Sequence, residues 1–392
     1  MQRVQQRGNA LTAALVCPAT KTTGEHSDWA ADLQDEGWHS SRHPGGREGD
    51  ADRGGYALVV LTTDSLYIEA SATSRSDGIL CVVPHDDRES LSIPMDAATL
   101  KAKARLGEFN SMIAGAAHAI MTYAEERGDA QIAGGADVRI TECTLPISKG
   151  LSSSAAICVL IVRALCVAHG LPLSTSEEME CAYRGERLTP SRCGRLDQVV
   201  AWGTKTTACS IRFLPNEARV EPVHVCSDAD IGGGRALNLL LVDLLGHKDT
   251  PRILQDLQLN YREAVREGHT EGIVRCLHRA NNEAVSRCLE SLRQSRNVSV
   301  EIGREMKLAQ ERFDAHLAPQ CPSELQAPRL RSVLSLVSTD GVREHVCGAK
   351  SVGAGGDGMC LVLARDAGSS LVISEAIKRN LGYDCIHLSV RL

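Results

Sequence analysis

The chain is expected to be an α+β protein of two domains, and three observations carry that expectation. Its 392 residues exceed what one hydrophobic core ordinarily serves. Roughly the first 225 residues mix hairpin-forming strand patterns with amphipathic helix patterns. A polar, glycine-rich run at 223–235 then leads into a second set of strands enclosing helices. The expected domains are therefore 1–225 and 226–392. At 43% hydrophobic residues the composition is globular, and at 3% aromatic the core must be aliphatic.

The elements follow in order. Residues 9–16 suit a short strand, so the N-terminal apolar run reads as the first strand rather than a leader. Cys17 to Trp29 is dense in polar and ionisable groups. Residues 30–54 are charged and glycine-rich with almost no apolar periodicity, the mark of a surface insertion. From Gly54 the pattern is strand, turn (Thr63 to Ser65), strand, and Ile79 to Pro84 is another strand. Phe109, Met112, Ile113, Ala116, Ile120 and Tyr123 recur at helical spacing between Glu108 and Arg127. A strand over Ala136 to Leu145 leads to a helix from Ala155 onward. Further helices are expected over Ser176–Arg187 and from near Arg195. After the linker come a buried strand from Ala236, three or four helices between Pro251 and Val337, and a glycine-rich turn from Gly348 to Gly358. A strand, a helix (Ala367 to Arg379) and a final strand complete the chain.

A net charge of -6 and a pI near 6.1 argue against general binding to nucleic acid or an anionic membrane. No run approaches the roughly eighteen apolar residues of a membrane-spanning helix. The 15 cysteines are odd in number and contain no C-x-x-C, which points to reduced thiols and a cytoplasmic location. An anion site in this chain must therefore be local.

Such a site is offered by PISKGLSSSAA, Pro146 to Ala156. A glycine-and-hydroxyl loop at a helix N-terminus presents backbone N–H groups and a positive dipole end to an anion. Ser152, Ser153 and Ser154 either cap the helix or help hold a phosphate-bound Mg²⁺. Glu186 and Asp197 stand eleven residues apart around a Pro-Ser-Arg-Cys-Gly turn. Converging, one could complete a metal shell and the other accept a proton, the division phosphoryl transfer requires; apart, they are solvated helix-end charges. Gly24-Glu25-His26-Ser27-Asp28 is either a polyol site or an exposed turn. Gly353, Gly355 and Gly358 satisfy G-x-G-x-x-G, yet a strand follows where a dinucleotide fold needs a helix. Those glycines instead suit a tight turn approaching another loop or a ligand.

Taken in order, these stretches resemble the three motifs of the GHMP kinases, the family of galactokinase, homoserine, mevalonate and phosphomevalonate kinases. The middle motif, P-x-x-x-G-L-S-S-S-A-A, is close to complete. The resemblance implies a ribosomal-protein-S5-like N-terminal domain, a ferredoxin-like C-terminal domain and an active site between them. It implies ATP and Mg²⁺ as cofactors, with ATP against Ser148, Lys149, Gly150, Leu151, Ser152, Ser153, Ser154 and Ala155. Ser154 and Glu186 become the metal ligands and Asp197 the base facing the acceptor hydroxyl. Cys193-Gly194-Arg195-Leu196-Asp197-Gln198 looks like the galactokinase C-G-x-x-D-Q, and GEHSDW like its G-E-H-T-D-Y. By that likeness Glu25, His26, Asp28, Gly194, Asp197 and Gly355 face a small-molecule sugar. Lys149 replaces a small residue, as in arabinokinase-like members, and either touches a phosphate oxygen or is solvated.

Two departures accompany the likeness. The motif-one arginine position holds Ala19, which leaves Lys21 as the nearest cation, and Asp357 stands where the family has glycine. The implied activity is phosphorylation of the anomeric hydroxyl of galactose, L-arabinose or a related sugar. The alternatives are a mevalonate-type alcohol kinase and a catalytically weak sugar- and ATP-binding sensor. The sequence leaves the oligomeric state open.

Overall fold

The computed structural model describes residues 2–6, 9–11, 56–63, 67–108, 110–128, 132–145, 153–190, 194–199, 208–213, 218–223, 225, 236–294 and 297–392. The chain forms two compact units, one drawn mainly from 61–207 and the other mainly from 208–387.

The first unit carries β1 (Gln2–Gln6), β2 (Asn9–Leu11), part of β3 (Tyr56–Thr63), β4 (Ile68–Arg75), β5 (Ile79–Val83), β6 (Leu91–Pro94) and β7 (Gly135–Cys143). Five of these make a sheet of order β1-β4-β7-β5-β6. Its pairs are antiparallel except β5 with β7, where Leu80 to Val83 run beside Ala136 to Arg139. Parallel neighbours need a long connection, supplied here by β6, α1 (Ala97–Arg105) and α2 (Ser111–Arg127). Asp96 starts α1 by accepting from Thr99 N at 2.9 Å. Gly128, at φ 72°, ends α2 in the left-handed conformation favoured for glycine. Helix α3 (Ser153–His169) lies on β4 and β1, with α2 and α4 (Thr175–Arg187) packed against it. Covered on both sides, α3 buries Cys158, Val159, Leu160, Ile161, Val162 and Leu165 completely.

The second unit contains a hairpin of β8 (Ala208–Phe213) and β9 (Ala218–Pro222). Its main sheet has the order β11-β12-β10-β13, built from β10 (Ala236–Asp243), β11 (Val346–Ser351), β12 (Met359–Ala364) and β13 (Cys385–Arg391). Every residue of β11 and β12 is buried, because helices cover both faces. These helices are α5 (Thr250–Arg266), α6 (Ile273–Leu277), α7 (Arg279–Gln294), α8 (Val298–Arg312), α9 (Pro322–Leu325), α10 (Pro328–Leu336) and α11 (Ala367–Leu381). Helix α8 packs on β11, while α10 and α11 share an apolar cluster with β10 and β12.

The α+β class expected from the sequence is the one observed. Several details differ. The strand expected over 9–16 is Asn9–Leu11, preceded by an unforeseen β1. Helix α1 was not foreseen either; its buried residues are only Leu100 and Ala104, too few for a clear period. Between 251 and 337 the helical region is more finely divided than three or four segments. Gly268 and Gly272, both at positive φ, separate α5 from α6, and prolines open α9 and α10. The helix expected from near Arg195 is a 3₁₀ turn over 197–199 within the described residues. The insertion placed at 30–54 lies outside them.

Candidate active site

Helix α3 begins at Ser153, so the head of the second motif is described from that residue onward. Ser153 and Ser154 are half-buried on its first turn, and Ala155 is fully buried. Both serines border a cavity of about 470 Å³. Its walls include Ile68, Val82, Ile113, Ile140 and Leu145, and His85, Arg88 and Asn110 bring polar groups to it. Burial pushes the Cys143 thiol up, so it contributes to the lining as a neutral group. An apolar pocket with a few polar groups beside a helix N-terminus is the kind of concave surface that takes a small ligand.

Glu186 sits in the last turn of α4 and is only 2% exposed. The helix is fixed at both ends. At its start, Ser174 and Glu177 form a reciprocal capping box. At its end, Gly185 crosses α2 so closely that a Cβ there would stand 2.6 Å from Ala116 Cα. The Glu186 carbonyl then accepts from Thr189 N at 3.0 Å and from Thr189 Oγ1 at 2.7 Å, closing the helix. Its carboxylate Oε2 accepts from Gln198 Nε2 at 2.7 Å. Gln198 is fully buried, Asp197 beside it is 5% exposed, and Gly194 is buried. The segments bearing the two carboxylates, far apart as helix and loop, are thus joined by one buried hydrogen bond.

The donor set suits magnesium. A serine hydroxyl and a buried carboxylate are hard oxygen ligands, carried on the mutually packed helices α3 and α4. Among the described residues no group of three or more His, Cys, Asp or Glu gathers as a metal cage. A magnesium held by one or two protein ligands plus phosphate oxygens requires none.

Other expected site residues fall elsewhere. Lys21, Glu25, His26, Asp28, Ser148, Lys149, Gly150, Leu151 and Ser152 lie outside the described residues. Gly355 belongs to the second unit, in the turn between β11 and β12, at φ 87°. A Cβ there would approach Phe313 Cζ to 2.5 Å, so the glycine is required by packing as well as by conformation. Its carbonyl accepts from Lys248 Nζ at 2.9 Å. Asp357, unusual at its place in the motif, accepts from Leu330 N at 3.0 Å and so caps α10. Sequence reasoning used Gln198 only as part of the C-G-x-x-D-Q motif, and it passed over the Gly115–Gly185 crossing. A glycine inside each of two helical patterns was the available signal for the crossing.

Residues 111–204, which span α2, the serine stretch, α4 and Asp197, match the family model described as the GHMP kinases N terminal domain. This stretch carries the GHMP kinase N-terminal domain. Among solved structures, the chain is similar to Lactococcus lactis galactokinase complexed with galactose, at 13% identity and TM-score 0.67, over 100% of this chain and 93% of that one. It is similar to the Methanococcus jannaschii mevalonate kinase at 13% identity and TM-score 0.62, over 100% and 98%. The Streptococcus pneumoniae phosphomevalonate kinase in complex with phosphomevalonate and AMPPNP matches at 13% identity and TM-score 0.63, over 100% of both chains. At such identities the likeness is one of fold. No curated protein sequence matches the chain. Among the described residues, no helix is long and apolar enough to cross a membrane.

Proposed function

We propose that this chain is a GHMP kinase, an ATP- and Mg²⁺-dependent sugar kinase acting on the anomeric hydroxyl of galactose, L-arabinose or a related monosaccharide. The observation that carries the reading is the Gln198–Glu186 hydrogen bond, which ties the turn bearing Asp197 to the helix bearing the second metal ligand. Ser154 and Glu186 would hold Mg²⁺, which when bound supplies charge neutralisation at the phosphoryl oxygens. The nucleoside would occupy the cavity beside Ser153, with its phosphates along 148–155. Asp197 accepts the proton of the acceptor hydroxyl as that oxygen bonds to the γ-phosphorus. The bond from that phosphorus to the bridging oxygen breaks, and ADP leaves. Glu25, His26, Asp28 and Gly194 are assigned to the sugar, and Lys21 to the charge role left by Ala19. The catalytic domain is taken as 1–225 and its partner as 226–392, in a reducing cytoplasm where the described cysteines, none of them in a disulfide, stay reduced.

A second reading is a mevalonate-type alcohol kinase, favoured by a structural likeness to mevalonate kinase that also spans the whole chain. Sugar-dependent ADP release from Mg·ATP across a panel of pentoses and hexoses, with mevalonate alongside, separates the two. The expected result is turnover with one sugar, lost about 10³-fold in Asp197→Asn. Turnover with mevalonate alone favours the second reading. Absence of turnover with every acceptor, or an Asp197→Asn variant as active as the native chain, overturns both.

A further inference from the structure

Arg195 lies two residues before Asp197, and its side chain folds back onto α4. Nε donates to Glu180 Oε2 at 3.1 Å and Nη2 to Glu180 Oε1 at 3.4 Å, the two-pronged contact of a guanidinium on a carboxylate. The same guanidinium carbon sits 4.1 Å from the centroid of the Tyr183 ring. A plane held both at its edge and on its face has little freedom left, and the Arg195 side chain is only 16% exposed. Glu180, Tyr183 and Glu186 follow one another at helical spacing on α4, so the anchor for Arg195 and the candidate metal ligand share one rigid element. Gln198, one residue after Asp197, bonds the same helix through Glu186 at 2.7 Å. Asp197 is thus bracketed by two ties to α4. The position of Arg195 in C-G-x-x-D-Q is one that the motif itself leaves unspecified.

We infer that Arg195 is a positioning residue for Asp197, locking the short turn that carries the base onto the helix that carries Glu186. The inference rests on the reading of Asp197 as the base. Its mechanical half, the tie, is independent of any substrate. A lysine in its place would keep the charge but lose both the fork and the stack.

The test uses the full chain with Arg195→Met, Arg195→Lys and Tyr183→Leu, each read in two ways. Hydrogen–deuterium exchange over residues 194–199 is expected to quicken at least tenfold in Arg195→Met, and less in the other two, with α3 and α4 amides unchanged. Turnover with the acceptor found by the panel is expected to fall 10- to 100-fold in kcat, while KM for ATP stays within twofold. In an Asp197→Asn background, Arg195→Met is expected to lower kcat by less than twofold further, because the group it positions is gone. Unchanged exchange in Arg195→Met overturns the proposal, and so does quickened exchange with unchanged kcat. A loss that is undiminished in the Asp197→Asn background marks Arg195 as merely structural and overturns it too. If Arg195→Met does not fold, Tyr183→Leu, which removes the stack and leaves Glu180 in place, decides by the same two readings. Failure of the functional reading looks different: Asp197→Asn itself leaves turnover intact while exchange in Arg195→Met still quickens.

Discussion

Helix α2 meets α4 through Gly115 and Gly185, and α8 meets β11 through Gly303 and Gly348. Both contacts bring backbone against backbone. A Cβ on Gly115 would stand 2.2 Å from Gly185 O, and one on Gly348 would stand 2.4 Å from Gly303 O. None of the four glycines lies at positive φ, so each is there for space rather than conformation. The two contacts differ in what comes next along the chain. Glu186 follows Gly185 directly, with no slack between the crossing and the carboxylate. After Gly348 the strand runs on to Ser351 before the glycine turn begins, and that turn has ties of its own. Lys248 Nζ donates to Val352 O at 3.2 Å and Gly355 O at 2.9 Å, and Asp357 caps α10. One packing device thus serves two ends: in the first unit it aims a side chain, and in the second it closes a core.

The pair Gly185→Ala and Gly303→Ala tests that distinction and carries the largest expected effect. Each added methyl meets backbone rather than a movable side-chain end, so each variant should lose about 3 kcal/mol of stability. Urea titration followed by circular dichroism measures both. The variants should part in activity per folded molecule. A shift of the α2–α4 crossing displaces Glu186, so Gly185→Ala should lose at least about tenfold in kcat. Gly303→Ala should stay within about twofold of native, because the contact it disturbs belongs to the core of the second unit and neither of its residues bears a candidate carboxylate. Equal kcat losses in the two variants would erase the distinction.

A smaller effect is expected at Lys248. Replacing it with methionine keeps the hydrocarbon stem but withdraws the donor from two carbonyls of the glycine turn. Gly353, Gly355 and Gly356 all hold positive φ, so that turn has little intrinsic preference for its shape and depends on outside ties. Lys248→Met should lower stability by about 2 kcal/mol and open the 352–358 segment to protease before the rest of the unit. Cleavage elsewhere first would show that packing on Phe313 suffices to hold the turn.

How much of this was legible beforehand depends on whether a contact is local or tertiary. The serine stretch, Glu186 and Asp197 announced themselves by residue type and spacing. The long apolar pattern from Ala155 gave α3, whose burial on most sides leaves a hydrophobic run from Ala155 to Val162 before Arg163 interrupts it. Helix α1 was missed because Lys101, Lys103 and Arg105 dominate its pattern and few of its residues are buried. Gln198 and Arg195 stood within a quoted motif, but their partners are 12 and 15 residues distant, and only the folded turn brings them there. Gly355 shows the opposite case. Its glycine-rich context suggested a ligand, and the structure gives it Phe313 and Leu325 as neighbours, residues about 30 to 40 positions away that no local pattern encodes.

The other end of α4 supplies the mildest perturbation. Glu177 accepts from Ser174 N at 2.7 Å, Tyr123 Oη at 2.7 Å and Arg127 Nη1 at 2.6 Å. The Ser174 hydroxyl and backbone N–H first, and then Tyr123, hold its carboxyl down at about 2, against an ordinary 4.5. The sign follows from linkage. The folded protein holds Glu177 ionised to a lower pH than the unfolded chain does, so the unfolded chain binds the proton more readily between about 4.5 and about 2. The stabilisation is therefore fully present above 4.5 and is lost as pH falls through about 2. Glu177→Gln keeps an acceptor for the cap but removes the charge. It should reduce stability at neutral pH by about 1 kcal/mol and flatten the acid side of the stability curve in that window. It should leave kcat unaltered, because three turns of helix and the Gly185 crossing stand between the cap and Glu186. A fall in kcat with Glu177→Gln would mean that the aim of Glu186 is set along the whole helix rather than at its crossing, and the contrast between the two glycine contacts would lose its basis.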